Sequence, residues 1–212
     1  MSKQIIITFA ILLISFQSLT AQNNAQANKI ISDLLTEAKT HAVKTNFKLI
    51  INNKYNSQSN TSTGSFLLKG NKFVLEMDEM KVWFDGKTQW AYVTQNKEVN
   101  ITEPTEKELS ETNPMAILSA YKSRCNIFFG KTKSATYYNI EMTPKVKSND
   151  LIKIEVQVNK SNTNLVSIKQ INRDGVTSLL TLSNFQKGVA VSDNIFTFNP
   201  SKFKGAVMND LR

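Results

Sequence analysis

The sequence predicts a mainly β domain built on one large antiparallel sheet of about eleven short strands, with one helix before it and one inserted into it. Three observations predict this. Strand-like segments follow one another with turn signals roughly every 8–12 residues. Two Asp-Gly pairs, Asp85-Gly86 and Asp174-Gly175, stand between apolar runs, where glycine supplies the positive φ of a hairpin turn. Neither a βαβ alternation nor a repeat at solenoid period is present.

The first 21 residues stand apart from that domain. Lys3 precedes an apolar run of 12 residues, Ile5 to Phe16, and small residues follow at Thr20-Ala21. This is the layout of a secretory signal peptide cleaved after Ala21, and it is shorter than the roughly 20 residues of a membrane-spanning helix. No cysteine stands at the cleavage position, so a lipoprotein-type anchor is not expected. The expected organisation is a signal peptide over 1–21 and a single domain over 22–212.

A helix opens that domain. Ala27, Ile30, Ile31, Leu34, Leu35, Ala38 and Ala42 fall on one stripe at helical period, with Lys29, Asp33, Thr36 and Lys39 opposite. Strands then follow at Phe47–Ile51, Gly64–Leu68, Lys72–Met77, Lys81–Phe84, Gln89–Thr94 and Glu98–Ile101, with the polar run Asn52–Thr63 read as the end of the first. The series is interrupted between Pro104 and about Gly130. Within that stretch Glu106–Glu111 is polar, and Asn113-Pro114 reads as an N-cap with proline in the first turn of a short helix carrying Met115, Leu118 and Tyr121. Strands resume at Tyr137–Thr143, Leu151–Val158, Leu165–Asn172 and Val176–Asn184, and Val189–Val191 and Phe196–Phe198 close the series. Lys153, Glu155 and Gln157 alternate with Ile154, Val156 and Val158, so one face is wet and the other covered. The inserted helix has its natural place on the covered face, as a plug or lid beside the first helix.

Composition excludes several kinds of chemistry. One His and one Cys cannot build a His-rich metal site, a zinc finger or a disulfide. A Gly-x-Ser-x-Gly elbow and a phosphate-cradling glycine loop are both missing. His41 sits at a helix end beside the apolar stripe. Cys125, among Arg124, Phe128 and Phe129, reads as a half-buried thiol, and Glu76, Asp78 and Glu79 read as solvated charges. No enzyme, metal or cofactor is expected; a hydrolase would have to use His41 or Cys125. The net charge of +9 becomes +8 once Lys3 is removed with the leader, but the lysines are scattered, and no nucleic-acid partner is expected.

Phe66, Leu68, Phe73, Leu75, Met80, Val82, Trp90 and Tyr92 all point inward if Lys81 and Gln89 point out. Patterning alone reads this set as core sooner than as a ligand cavity, and a one-residue slip would reverse any strand in it.

A family resemblance adds to this. The run Val82-Trp-Phe-Asp-Gly-Lys-Thr-Gln-Trp90-Ala-Tyr92, followed by Glu98-Val99, resembles the Ser-Asp-Gly-Lys-x-Leu-Trp-x-Tyr segment of the outer-membrane lipoprotein carriers of LolA type. Gly64-Ser-Phe-Leu-Leu-Lys69 is similar to their Gly-x-Leu/Phe-x-x-Lys strand, Asn113-Pro114 with Ile117-Leu118 to their inserted helix, and Met142-Thr-Pro-Lys145 to their Leu-Thr-Pro-Lys stretch. Phe196-Thr-Phe-Asn-Pro200, Gly205-Ala-Val207 and Asp210-Leu-Arg212 resemble their C-terminal motif, so order and spacing agree over roughly seven-tenths of the chain.

The resemblance implies an unclosed β-barrel with helices over its concave face. It further implies a monomeric periplasmic chaperone that holds the acyl chains of lipoproteins and carries them from inner to outer membrane. Its implied partners are acylated lipoproteins, an inner-membrane ABC transporter that releases them and, where present, an outer-membrane acceptor. A binding or sensor protein of the same fold for another amphiphile is the alternative. The acyl-chain site expected on this reading comprises Leu49, Ile51, Phe66, Leu68, Phe73, Leu75, Met80, Val82, Trp90, Tyr92, Met115, Leu118, Ile154, Val156, Leu180 and Leu182. Proteobacterial members of the family carry Arg-Pro after the strand lysine, the arginine tying down the lid. Gly70 and Asn71 stand there in this chain, so a looser lid is expected.

Overall fold

A computed structural model of the chain describes residues 22, 24–147 and 150–212; the leader expected over 1–21 lies outside the described residues. Helix α1 covers residues 24–40. It is followed by β1 (Val43–Asn53), β2 (Gln58–Lys69), β3 (Lys72–Met77), β4 (Met80–Phe84), β5 (Gln89–Val93) and β6 (Glu98–Thr102). Helices α2 (Glu106–Thr112) and α3 (Pro114–Lys122) come next, then β7 (Cys125–Phe129), β8 (Tyr137–Pro144), β9 (Leu151–Asn159), β10 (Leu165–Asn172) and β11 (Val176–Lys187). Two short 3-10 turns, Asp193–Phe196 and Pro200–Lys202, lead to β12 (Val207–Asp210).

All twelve strands form one sheet in the order β12-β6-β5-β4-β3-β2-β1-β11-β10-β9-β8-β7. Neighbours are antiparallel except β12, which lies parallel to β6. The two edge strands are not paired with each other, so the barrel is unclosed, as the resemblance implies.

Helix α1 shows how far the sheet curls. Asn28 Nδ2 donates to the Ile127 carbonyl of β7 at 3.4 Å, and the Ala38 carbonyl accepts from Gly70 N–H at 2.9 Å in the β2–β3 turn. Ten helical residues span about 15 Å. In a flat sheet β7 and β2 would be roughly 29 Å apart, six steps of about 4.8 Å. The sheet is therefore wrapped around α1. The stripe read from the sequence faces it, with Ala27, Ile31, Leu34 and Ala38 buried and Ile30 and Leu35 packed at its margins.

Several elements differ from expectation. Strands β1 and β2 continue through the polar run, with Asn53 opposite Gln58, because the backbone ladder closes on the turn at 54–57 without apolar help. Strand β7 stands where the interruption was expected to continue. Helix α2 occupies the polar stretch, started by a capping box in which Thr105 and Glu108 satisfy each other's backbone N–H. Val189–Val191 is not a strand, and Phe196 lies in a 3-10 turn; the final strand is β12 instead.

Candidate functional site: the concave face and its open end

The inward side chains follow from register. Phe47, Leu49 and Ile51 of β1 stand opposite Leu182, Leu180 and Ser178 of β11, and on the other side opposite Gly64, Ser62 and Asn60 of β2. Leu180 pairs with Ile168, Ile168 with Val156 and Val156 with Ile140, carrying the same face to β8. In the other direction Phe66 pairs with Leu75 and Leu75 with Val82. The apolar residues among these, Ile51 excepted, form one cluster with Ala27, Ile31, Leu34 and Ala38 of α1 and with Met115 and Leu118.

On β1, β3, β4 and β11 burial along this face runs in one direction, whereas on β7–β9 it stays complete to the same end, with Cys125, Met142 and Leu151 buried. On β1 Phe47 is buried, Leu49 half-buried and Ile51 37 % exposed. On β3 Phe73 and Leu75 are buried and Met77 half-buried; on β4 Phe84 and Val82 are buried and Met80 half-buried. On β11 Leu182 is buried and Leu180 half-buried. The face is thus closed at the end where α1 meets the β2–β3 turn and open at the end of the β1–β2 and β3–β4 turns. The walls of this mouth are unequal. Gly64 is opposite Met77, so Gln58–Thr63 of β2 run on past the end of β3. A Cβ at Gly64 would meet the Phe47 ring at 2.9 Å and the Glu76 carbonyl at 2.1 Å, so only glycine lets that ring lie flat on β2.

Of the residues expected to face inward, Phe66, Leu68, Phe73, Leu75, Val82, Met115, Leu118, Ile154, Val156 and Leu182 are buried in the concave cluster. Leu49, Met80 and Leu180 line its mouth, with Ile51 at the outermost position. Trp90 and Tyr92 do not face inward. The β4–β5 loop spans four residues, Asp85 to Thr88, so Phe84 pairs with Gln89 and Trp83, not Val82, stands opposite Trp90. Both aromatic rings therefore lie on the convex face, in a second cluster with Val74, Trp83, Val99, Ile101, Phe196 and Phe198. The Phe203 ring packs there, tilted 4.7 Å from Tyr92 and edge-on 5.3 Å from Trp83, and the C-terminal segment forms a strap over that side. Asp193 secures the strap by accepting from Lys69 and Lys72 at 2.7 Å each, which holds its carboxyl down at about 2.

Sequence reasoning missed Met77 at the mouth and β7, whose Cys125 and Ile127 are buried inward. The alternation Cys125, Ile127, Phe129 was the available signal for that strand.

The model of the family described as outer membrane lipoprotein carrier protein LolA matches residues 17–177, up to the start of β11. The chain belongs to this family. A comparison with curated protein sequences finds no significant match. Among solved structures, an uncharacterized conserved protein from Thermus thermophilus superposes with a TM-score of 0.58 at 10 % identity, covering 87 % of this chain and 99 % of that one. A lipoprotein-sorting protein domain from Vibrio parahaemolyticus gives a TM-score of 0.46 at 13 % identity, with 86 % and 100 % covered. The Pseudomonas aeruginosa MucA/MucB complex gives 0.42 at 11 %, with 82 % and 62 % covered. The Thermus likeness bears on the fold alone.

The two positions after the strand lysine, Gly70 and Asn71, are both engaged in contacts. Gly70 takes φ +65° in the β2–β3 turn and its N–H donates to the last turn of α1, so this position anchors the first helix. Asn71 donates to the Gly86 carbonyl at 3.3 Å. The inserted helix α3 is set by Asn113, whose Oδ1 accepts from Met115 N–H at 2.9 Å and Ala116 N–H at 3.4 Å, and it buries Pro114, Met115 and Leu118.

The groups a hydrolase would need are dispersed. His41 is exposed at the end of α1, with Nδ1 2.9 Å from Thr40 Oγ1 and 3.4 Å from Glu37. Cys125 is buried on β7, and burial pushes its thiol up against the opposing pull of Lys145 and Arg124. Glu76 is an exposed partner of Lys81 at 3.1 Å. Among the described residues no group of His, Cys, Asp or Glu is placed to hold a metal ion, and no helix is long and apolar enough to cross a membrane.

Proposed function

We propose that this protein is a periplasmic carrier that holds the acyl chains of lipoproteins against its concave face and ferries them from the inner to the outer membrane. The observation that carries the reading is the loss of burial toward one end on β1, β3, β4 and β11, on an apolar face otherwise roofed by helices. The chains enter between Leu49, Ile51, Met80 and Leu180. They then replace Met115 and Leu118 of α3 over the floor formed by Phe66, Leu68, Phe73, Leu75, Val82, Ile154, Val156 and Leu182. The protein acts as a monomer without catalysis. An inner-membrane ABC transporter loads it, and an outer-membrane acceptor unloads it.

Two experiments test this. Mass spectrometry of material co-purifying with the protein from its own periplasm should find acylated proteins; free lipid alone would favour a carrier or sensor for another amphiphile. A fluorescent acyl probe should bind at least tenfold more weakly to Leu180→Asp, whose carboxylate stands at the half-open mouth and stays hydrated in the free protein. Tyr92→Ala, on the convex face, should bind the probe as the parent does. Equal loss in both variants would place binding elsewhere.

A further inference from the structure

The exposed large apolar side chains of the described residues fall into two groups. Ile195, Val207, Met208 and Leu211 belong to the C-terminal strap and the edge strand that ends it. The other four, Ile51, Tyr55, Val146 and Ile152, are 37, 70, 82 and 41 % exposed and stand at the open end of the concave face. Contacts join their segments into one rim. Lys54 N–H donates to the Gly175 carbonyl at 3.2 Å, Arg173 N–H to Asp150 at 2.8 Å, and Lys145 N–H to Arg124 at 2.9 Å. The Tyr55 ring lies against Gly175, where a Cβ would meet it at 2.5 Å. The β1–β2 turn, the β10–β11 turn, the described residues of the β8–β9 loop and the start of β7 therefore form a continuous edge along one side of the mouth, across from the β3–β4 turn with its exposed Asp78 and Glu79.

That edge is basic. Lys54, Arg124, Lys145, Lys147 and Arg173 stand there with Asp150 and Asp174, five positive charges against two negative, a net +3. Lys54 lies over the Tyr55 ring at 4.9 Å, and Lys145 Nζ donates to the Ser123 carbonyl at 2.9 Å, so neither of these contacts neutralises its charge.

We infer that this rim is a docking surface for an anionic lipid bilayer and seats the mouth of the concave face against the headgroups. Apolar tips flanked by lysine and arginine are the chemistry of reversible interfacial binding. The apolar groups enter the headgroup boundary while the cations meet the negative surface potential, and neither signal suffices alone. The charge complementarity favours a lipid surface over a second copy of this chain, because two copies meeting at this rim would bring +3 against +3. The inference stands apart from the carrier reading, since it concerns where the protein sits and not what it holds.

The test is co-sedimentation of the protein, as recovered from the producing cell, with vesicles of phosphatidylcholine alone or with about a third phosphatidylglycerol. Binding is expected only to the second kind and should weaken as salt shortens the Debye length. Lys54→Ala with Lys147→Ala should lower vesicle affinity about 30-fold, taking roughly fivefold for each charge near the surface. Lys131→Ala with Lys133→Ala, exposed between β7 and β8 at the opposite end, removes the same net charge and should lower it less than threefold. Tyr55→Ser with Val146→Ser should cost at least tenfold with the charge unchanged. All six positions are exposed, and circular dichroism checks that each variant folds. Equal losses from the two lysine pairs, no binding to anionic vesicles at low salt, or self-association abolished by Tyr55→Ser with Val146→Ser would each overturn the proposal. Acylated cargo is read by co-purification, so the carrier reading and this one can fail separately.

Discussion

Phe196→Ala tests whether the C-terminal strap and the concave face are energetically separate. Phe196 is fully buried, and its ring fills the convex cluster between the strap and Val74, Trp83, Val99 and Ile101. Truncating a buried phenylalanine costs about 3–5 kcal/mol, the lost transfer energy plus the cavity left behind. That is a large share of the roughly 5–15 kcal/mol that holds a domain of this kind together. At about 2–4 °C per kcal/mol, a 3 kcal/mol loss lowers the melting temperature by roughly 6–12 °C. The assay has a built-in reporter, because the two tryptophans of the chain, Trp83 and Trp90, both lie in this cluster. Their emission should shift to the red in Phe196→Ala at temperatures where circular dichroism still reports a folded sheet, while acyl-probe affinity stays within twofold of the parent. A melting temperature within 2 °C of the parent with unshifted emission would refute the packing argument. A matching loss of probe affinity would refute the separation of the two faces.

Four further outcomes are expected. Asp193 has its carboxyl lowered from 3.8 to about 2 by Lys69 and Lys72, so its contribution to stability is full above about pH 4 and is lost as pH falls through about 2; stability curves of the parent and Asp193→Asn should converge at the acid end of a pH series. Cys125, buried with its thiol pushed up, should react with a thiol reagent only as fast as the chain opens, and at full speed in denaturant. Asn113→Ala removes the side chain that caps α3 and should cost about 1 kcal/mol in chemical denaturation, with acyl-probe affinity altered because α3 roofs the concave face. Gly70→Ala forces a Cβ into φ +65° where nothing is closer than 3.8 Å, so the cost is conformational, about 1 kcal/mol, and should appear as faster amide exchange at the end of α1.

The sheet was legible in the sequence because its strands carry their signals locally. The alternation Ile154, Val156, Val158 and the glycines at positive φ after Asp85 and Asp174 each fix a piece of structure without reference to the rest. What the sequence left open was set by register between strands. Val82 and Trp90 look equivalent along the chain, yet a four-residue loop pairs Trp90 with Trp83 and sends it to the opposite face. The polar half of β2 was illegible for a related reason: Gln58–Thr63 are held by the β1 ladder and bury nothing, so no hydrophobic pattern marks them. Helix α2 carries a local signal too, Thr105 and Glu108 at capping-box spacing, within a stretch that reads only as polar by composition. The convex cluster carries none, because its covering residues lie about a hundred positions from the strands they cover.

On the carrier reading, the closed state of the concave face sets the direction of transfer. Met115 and Leu118 are at most 9 % exposed, so lifting α3 uncovers side chains whose burial is worth about 1.5–3 kcal/mol each. An acyl chain in water would offset that with about four to eight methylenes, at about 0.8 kcal/mol apiece. An acyl chain already in a bilayer offers almost nothing, because its methylenes are buried before and after. Loading from a membrane therefore runs uphill by about the cost of opening, and a carrier left alone beside a bilayer stays closed. The same cost favours release once an acceptor presents an equally apolar site, since the helix recloses as the chains depart. Energy must be supplied at loading, which places the driven partner at the donor membrane and lets the acceptor be passive.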